Sequence, residues 1–307
     1  MKIMMIAGHF NTPTDSVPIG GVQKHITKTT EEFQSRGHEV IWRYPYEAKK
    51  EFSGFKPEIV IAHDFFCFIE NCPVPQITVF HGYEGNIPPL DYIIKRRLEV
   101  EKKSSATICV GEYLKKWYGH NPDKIIWGGV DKISAVDPPR NKQILYLGRL
   151  DPDQAPEIAF EAFGETKEKY HIEVCASGKL ESKIKKIARK LKLDVNFNGF
   201  VTNPDEYIKK ADIVICSGYL TILESYINKR PVISPYGNTL KKDYLWLMPA
   251  PPFYCNNVEV IANLIDFWID HKTIHNPHEF QYNFALQNIW DKVADVYEEL
   301  LEKCLKK

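Results

Sequence analysis

Arg149 closes the apolar run "ILYLGR", and Glu224 lies in "SGYLTILESYI", shortly after another apolar run, "DIVIC". A guanidinium at the end of a buried strand can pair with two oxygens of one phosphate. A carboxylate can accept two hydrogen bonds from the hydroxyls of a sugar diol. His81 ends "ITVFHG", and His63-Asp64 ends "IVIAHD" in the same manner. A neutral imidazole at such a place can donate a hydrogen bond to a bound substrate. Gly20-Gly21, in "PIGGVQKH", precedes a helical pattern and offers close backbone approach and helix-terminal N–H groups to an anion. The spacing is neither Gly-x-Gly-x-x-Gly nor a Walker loop. Each feature also has a plain structural explanation. Arg149 can be salt-bridged to a neighbouring acid, and the two glycines can form a tight turn. A strand-end His can simply pack, and Glu224 early in its helix gains roughly 0.3–1 kcal/mol from the helix dipole.

These groups all fall where apolar runs give way to amphipathic segments. The candidate strands of the first half are Lys2–Ala7, Glu39–Arg43, Glu58–Ala62, Gln76–Phe80 and Ala106–Val110. Those of the second half are Gln143–Leu147, His171–Cys175, Asp194–Phe197, Asp212–Cys216 and Pro231–Ser234. Helical spacing predicts Val22–Arg36, Asp91–Lys103, Glu157–Phe163, Glu181–Leu191 and Pro204–Lys210 between them. Near-continuous apolar strands are buried on both faces, which means parallel sheets covered by helices. Two such series predict an α/β protein of two Rossmann-like, doubly wound domains, whose ligands bind beyond the carboxyl ends of the strands. The polar, Pro138-Pro139-containing stretch divides them. The expected organisation is a first domain over 1–131, a linker over 132–142, a second domain over 143–283 and a terminal helix over 284–307.

Composition narrows the function classes. The 307 residues carry 40 acidic and 40 basic side chains, so no net field draws the chain to nucleic acid. The Lys183–Lys186 cluster reads as a solvated helix face. Seven cysteines without a Cys-x-x-Cys pair suit free thiols in a reducing cytoplasm. No metal site is indicated. The opening "MKIMMIAGH" is too short for a signal-peptide core, and no run of 18 apolar residues exists to span a membrane. Peripheral membrane contact stays open, and "HDFFCFIENC" is either core or an apolar groove lining.

Taken in order, several stretches resemble the family 4 glycosyltransferases. "PIGGVQKH" is similar to that family's Gly-Gly-Val turn, and "TVFHG" to its His-Gly strand end. "WGGVD" resembles its Asn-Gly-Val-Asp hinge, with Gly128 in place of Asn. "ILYLGRLDPDQAPEIAFEAF" resembles the strand, Gly-Arg-Leu turn and helix that open its donor domain. "VNFNGFVTNPDEYIKKADIVICSGYLTILESYINKRPVIS" resembles the segment through its ribose-binding Glu. Trp290 and the last helix resemble its closing segment, which returns to the first domain.

The resemblance implies a GT-B fold, two domains facing across a cleft, and retaining transfer from a UDP- or GDP-sugar without cofactor or metal. It implies that Glu224 binds the ribose hydroxyls and that Arg149 neutralises the diphosphate. The Gly20 and Gly21 amides, Gln154, Gly178 and the Tyr219-Leu220-Thr221 amides complete the donor side. His81 is implied as the catalytic residue, on the transferred sugar's 6-hydroxyl, with His9, His25 and Asp64 on the acceptor side. The implied acceptor class spans glycans, lipids and small molecules, and the implied location is the cytoplasm or a membrane periphery.

Two positions depart from the family pattern. Its Lys five residues after the Arg is Gln154 here, and the first Glu of its Glu-x7-Glu pair is Cys216. Lys179, Lys241 and Lys242 are the candidates to supply the missing charge. The departures keep two other readings open: a catalytically degenerate GT-B binding protein, and a nucleotide-sugar epimerase or hydrolase.

Overall fold

In the computed structural model the described residues are 1–8, 20–83, 85–134, 139, 141–270 and 279–306. They form two compact units, one comprising Met1–Gly129 with Asn288–Lys307, the other Val130–Gln287.

Unit 1 runs β1 (Lys2–Ile6), α1 (Gly21–Ser35), β2 (Glu39–Arg43), α2 (Ala48–Glu51) and β3 (Ile59–His63). It continues with β4 (Gln76–Phe80), α3 (Asp91–Lys103), β5 (Ala106–Val110), α4 (Tyr113–Tyr118) and β6 (Lys124–Ile126). Its sheet has the order β2-β1-β3-β4-β5-β6, and every pairing is parallel. β3, β4 and β5 are buried along their whole length, as unbroken apolar runs require in a sheet covered on both faces. The strand order reverses between β1 and β3, which makes their carboxyl ends the topological switch point of this unit.

Unit 2 runs β7 (Gln143–Arg149), α5 (Pro156–Glu165), β8 (His171–Ser177), α6 (Glu181–Lys190), β9 (Asp194–Phe197) and α7 (Asp205–Lys210). Then follow β10 (Ile213–Ile215), α8 (Tyr219–Ile227), β11 (Val232–Pro235), α9 (Thr239–Trp246), β12 (Phe253–Cys255), α10 (Val258–Asp270) and α11 (Glu279–Gln287). Its all-parallel order, β12-β11-β10-β7-β8-β9, reverses between β7 and β10. The carboxyl ends of those two strands deliver Arg149 and Cys216-Ser217-Gly218.

The chain ends in α12 (Trp290–Leu305), which packs on α1 within unit 1. Arg36, just past α1, bonds Asp291 at 2.6 Å, Asp295 at 3.0 Å and Glu298 at 2.7 Å. α11 stays in unit 2, where Gln281 Nε2 donates to the Pro251 carbonyl at 3.1 Å. The segment of unit 1 therefore starts at Asn288, later than the expected 284, because α11 is tied to unit 2. The chain leaves unit 1 at Gly129, where a Cβ would lie 2.3 Å from the indole of buried Trp290. Gly129→Ala is expected to lower the stability of unit 1 by about 1–3 kcal/mol through overpacking, read as a lower urea midpoint. An unchanged midpoint would show that the indole can move aside.

All seven cysteines are thiols. Lys183 pairs with Glu157 at 3.2 Å and Lys185 with Glu181 at 2.6 Å, the pattern of a solvated face. "HDFFCFIENC" divides: Cys67 and Ile69 enter a core cluster with Met4, Ile6, Val60 and Ala62, whereas Phe66 is 57% exposed. Among the described residues no helix is long and apolar enough to cross a membrane.

Candidate active site

β7 extends two residues past its apolar run, because the parallel ladder with β8 continues through Gly148↔Ala176 and Arg149↔Ser177. Arg149, with its side chain 60% exposed, donates to Asp151 at 2.7 Å and Asp153 at 2.8 Å. The guanidinium is thus held in place by the acids that follow it. The Asp151 carboxylate also accepts the backbone N–H of Lys179 at 3.0 Å. That bond joins the β7 loop to the β8 loop, where Gly178 is needed. A Cβ on Gly178 would lie 2.7 Å from the Leu150 backbone. Gln154 is 6% exposed and donates its amide to Asp153 at 2.8 Å, so its side chain is committed locally.

At the end of β10, Cys216 is buried, and burial pushes its thiol up to about 12, with Thr221 and Ser225 hydrogen-bonding to it and Glu224 adding repulsion. It remains a neutral thiol where a carboxylate was expected. The Ser217 hydroxyl donates to the Pro235 carbonyl at 2.6 Å, tying the β10 end to the β11 end. α8 starts at Tyr219, and its first turn contains no acidic residue. Glu224 therefore lies in the second turn, beyond the reach of the helix dipole, so dipole compensation does not account for it. It is half-buried. The Tyr219 N–H donates to the Tyr244 hydroxyl at 2.8 Å, and the Tyr219 hydroxyl donates to the Tyr244 carbonyl at 2.8 Å. Of the three amides expected at this turn, that of Tyr219 is thus already engaged, while Leu220 and Thr221 follow it on the half-buried face.

Unit 1 assembles three of its named histidines. His63 Nδ1 and His81 Nε2 are 2.8 Å apart, from the ends of adjacent strands β3 and β4. His25 on α1 lies edge-on to His81, ring centroids 5.1 Å apart, and its Nε2 bonds the Tyr297 hydroxyl at 2.8 Å. All three rings are buried. Burial lowers His25 to about 3. It also depresses His63 and His81 well below the usual imidazole value, with the neighbouring His25 opposing a positive charge on each. Among the described residues His63 Nε2 is buried without a partner. A buried orphan N–H is rarer than an orphan acceptor, so the hydrogen belongs on His63 Nδ1 and is donated to His81. His81 then carries its own hydrogen on Nδ1. Asp64 holds the next link, accepting the His81 backbone N–H at 3.1 Å.

Gly20 precedes α1 in extended conformation and Gly21 opens the helix, both exposed. His9 lies outside the described residues. Pattern reading missed the roles of His63 as a partner of His81 and of Tyr244 as a cap on α8. The first was signalled by two His residues ending consecutive strands; the second has no local signal.

Residues 131–234 match the model of a family described as glycosyl transferases group 1. No curated protein matches the sequence. Among solved structures, the Anabaena protein HepE in complex with UDP and glucose superposes with a TM-score of 0.77 at 13% identity, covering 99% of this chain and 100% of that one. Sucrose-phosphate synthase from Thermosynechococcus elongatus gives 0.75 at 12% identity, covering 98% of each chain. A glycosyltransferase from Rickettsia africae gives 0.72 at 15% identity, again covering 98% of each. The fold is therefore GT-B, with two parallel six-stranded sheets flanked by helices. The family match over 131–234 covers the part of unit 2 that carries Arg149 and Glu224.

Proposed function

We propose that this protein transfers a hexose from a nucleoside diphosphate to an acceptor, with retention of configuration and without a metal ion, as a family 4 enzyme of the cytoplasm. The observation that carries this reading is the switch point of unit 2, where Arg149 and Glu224 follow the two strands between which the order reverses. Glu224 accepts the ribose hydroxyls. Arg149 exchanges Asp151 and Asp153 for the diphosphate, whose departing charge it stabilises together with the Leu220 and Thr221 amides. The Gly20 and Gly21 amides serve the same anion. His81 contacts the transferred sugar. The UDP complexes of HepE make UDP-sugars the first donors to try, with GDP- and ADP-sugars alongside.

The test is release of nucleoside diphosphate from such a panel, with and without EDTA. EDTA should leave turnover unchanged; no binding and no turnover with any donor would sink the reading. Glu224→Ala should weaken UDP affinity by roughly 10–100-fold, the value of a hydrogen bond to a charged group, and leave folding intact. Equal affinity in the variant would remove Glu224 from the ribose.

Two observations favour the degenerate reading: Gln154 is committed to Asp153, and Cys216 is a buried neutral thiol. It requires that nucleotide bind while no sugar is transferred. Donor conversion without any acceptor would instead point to an epimerase or hydrolase.

A further inference from the structure

Position 241 carries a cation that the functional reading has not used. Lys241 is 3% exposed, in the first turn of α9, and among the described residues its Nζ makes no hydrogen bond or ion pair. Its contact is the face of Tyr244, with Nζ 3.7 Å from the ring centroid. The other face of Tyr244 is taken by Tyr219 of α8, stacked at 3.7 Å and 11°. Burying an ammonium whose direct contact is an aromatic face is costly, and an anion within hydrogen-bond reach is the natural counterpart.

The backbone places Lys241 beside the Arg149 loop. Asn238 caps α9, its Oδ1 accepting the Lys241 N–H at 2.7 Å. One residue earlier, the Gly237 N–H donates to the Asp153 carbonyl at 3.1 Å. The first turn of α9 is therefore tied to the turn bearing Asp153 and Gln154. The charged and titratable groups facing Lys241 are Asp153, Arg149 and, from the end of β10, Cys216, with Tyr244 on its own helix. Lys179 and Lys242, by contrast, are exposed. Position 154 itself contributes no charge.

We propose that Lys241 is the second cation of the donor site and binds the diphosphate of the nucleotide together with Arg149. This rests on the donor reading above. It moves the missing charge from the 152–154 turn to the neighbouring loop, from which a long side chain reaches the same rim.

Burial lowers the ammonium to about 7 when no anion is present, Asp153 opposing and Arg149 reinforcing the shift. Above that pH the empty site holds a neutral amine, while the occupied site needs the ammonium. Nucleotide binding then takes up one proton, and affinity falls as pH rises. The Cys216 thiol, at about 12, stays protonated over the same range.

The experiment is calorimetric titration of the full chain with UDP, GDP and uridine between pH 7.5 and 9. Wild type should lose UDP affinity by about tenfold per pH unit and take up a proton on binding. Lys241→Met should bind UDP at least about tenfold more weakly at pH 7.5, without proton uptake and with uridine unaffected. Lys241→Arg should retain affinity and lose the pH slope, since arginine does not titrate. UDP binding by Lys241→Met with wild-type affinity and slope overturns the assignment. So does an equal loss for UDP and uridine, which marks a packing role. If wild type binds neither UDP nor GDP, the donor reading falls, and Lys241 falls with it.

Discussion

Asp64→Ala is expected to lower the stability of unit 1 by about 3–5 kcal/mol, the usual cost of removing one partner from a buried charge pair. Asp64 Oδ1 stands 3.5 Å from Arg97 Nη2, and Arg97 is 1% exposed. The guanidinium lies over Tyr118, 4.3 Å from the ring centroid, and donates to the Gly82 carbonyl at 2.6 Å. Neither contact supplies the negative charge that Asp64 does. The same carboxylate fixes the strand end that presents His81, through the His81 N–H. Its backbone sits at φ 71 and ψ 163, a region almost confined to Gly, so Asn and Ala are strained there alike. Asp64→Asn should still lose less than Asp64→Ala, because it keeps the acceptor for the His81 N–H while dropping the charge. For a unit of this size the alanine variant should melt about 10 °C lower. Because the chain has two compact units, hydrogen exchange on β4 amides should accompany the melt, so that the loss is assigned to unit 1. An alanine variant as stable as the parent would show that the Tyr118 face and the Gly82 carbonyl suffice for Arg97.

Much of the framework was legible because strands buried on both faces leave a strong apolar signature. Glu39–Arg43, Gln76–Phe80, Ala106–Val110 and Asp194–Phe197 form with the bounds their patterns predict. β6 and β12 escaped the same reading: Lys124–Ile126 and Phe253–Cys255 are three-residue edge strands, too short to show a period. The last two residues of β7 escaped because Gly148 and Arg149 pair through their backbones, with no apolar side chain to mark them. The site was legible as a set of strand-end residues, since strand ends are where open α/β sheets bind ligands. Its internal wiring was not. The His63–His81 bond depends on β3 and β4 being neighbours, and the Tyr244 cap on α8 depends on a crossover through β11. Likewise, three lysines were equal candidates along the chain, and only packing separates buried Lys241 from exposed Lys179 and Lys242. Glu224 changed least in identity and most in explanation, because its place in the second turn of α8 removes the dipole as its cause.

His81→Ala should reduce turnover by about 100-fold, the scale of losing one positioning contact at the reacting sugar, while UDP affinity stays near wild type. The split follows from the proposed roles, Glu224 on the ribose and Arg149 on the diphosphate, with His81 kept for the transferred sugar. The ring is neutral, depressed first by burial and then by its neighbours His25, His63 and Arg97. In the proposed role it acts as a hydrogen-bond donor, and turnover should show no acidic limb from it between about pH 6 and 8. The tautomer gives a sharper comparison. With His63 donating to Nε2, the His81 donor is Nδ1–H, and an asparagine amide nitrogen overlays that atom, whereas a glutamine amide overlays Nε2. His81→Asn should therefore keep more turnover than His81→Gln or His81→Ala. If glutamine is the better substitute, the hydrogen belongs on Nε2 and the His63 assignment is reversed. Full turnover in His81→Ala would remove the histidine from the reaction altogether. His63→Phe supplies the complementary measurement: it keeps an aromatic ring of similar size but withdraws the donor. Turnover should fall by only about a few-fold at unchanged UDP affinity, because an unheld imidazole samples both tautomers and only one presents Nδ1–H.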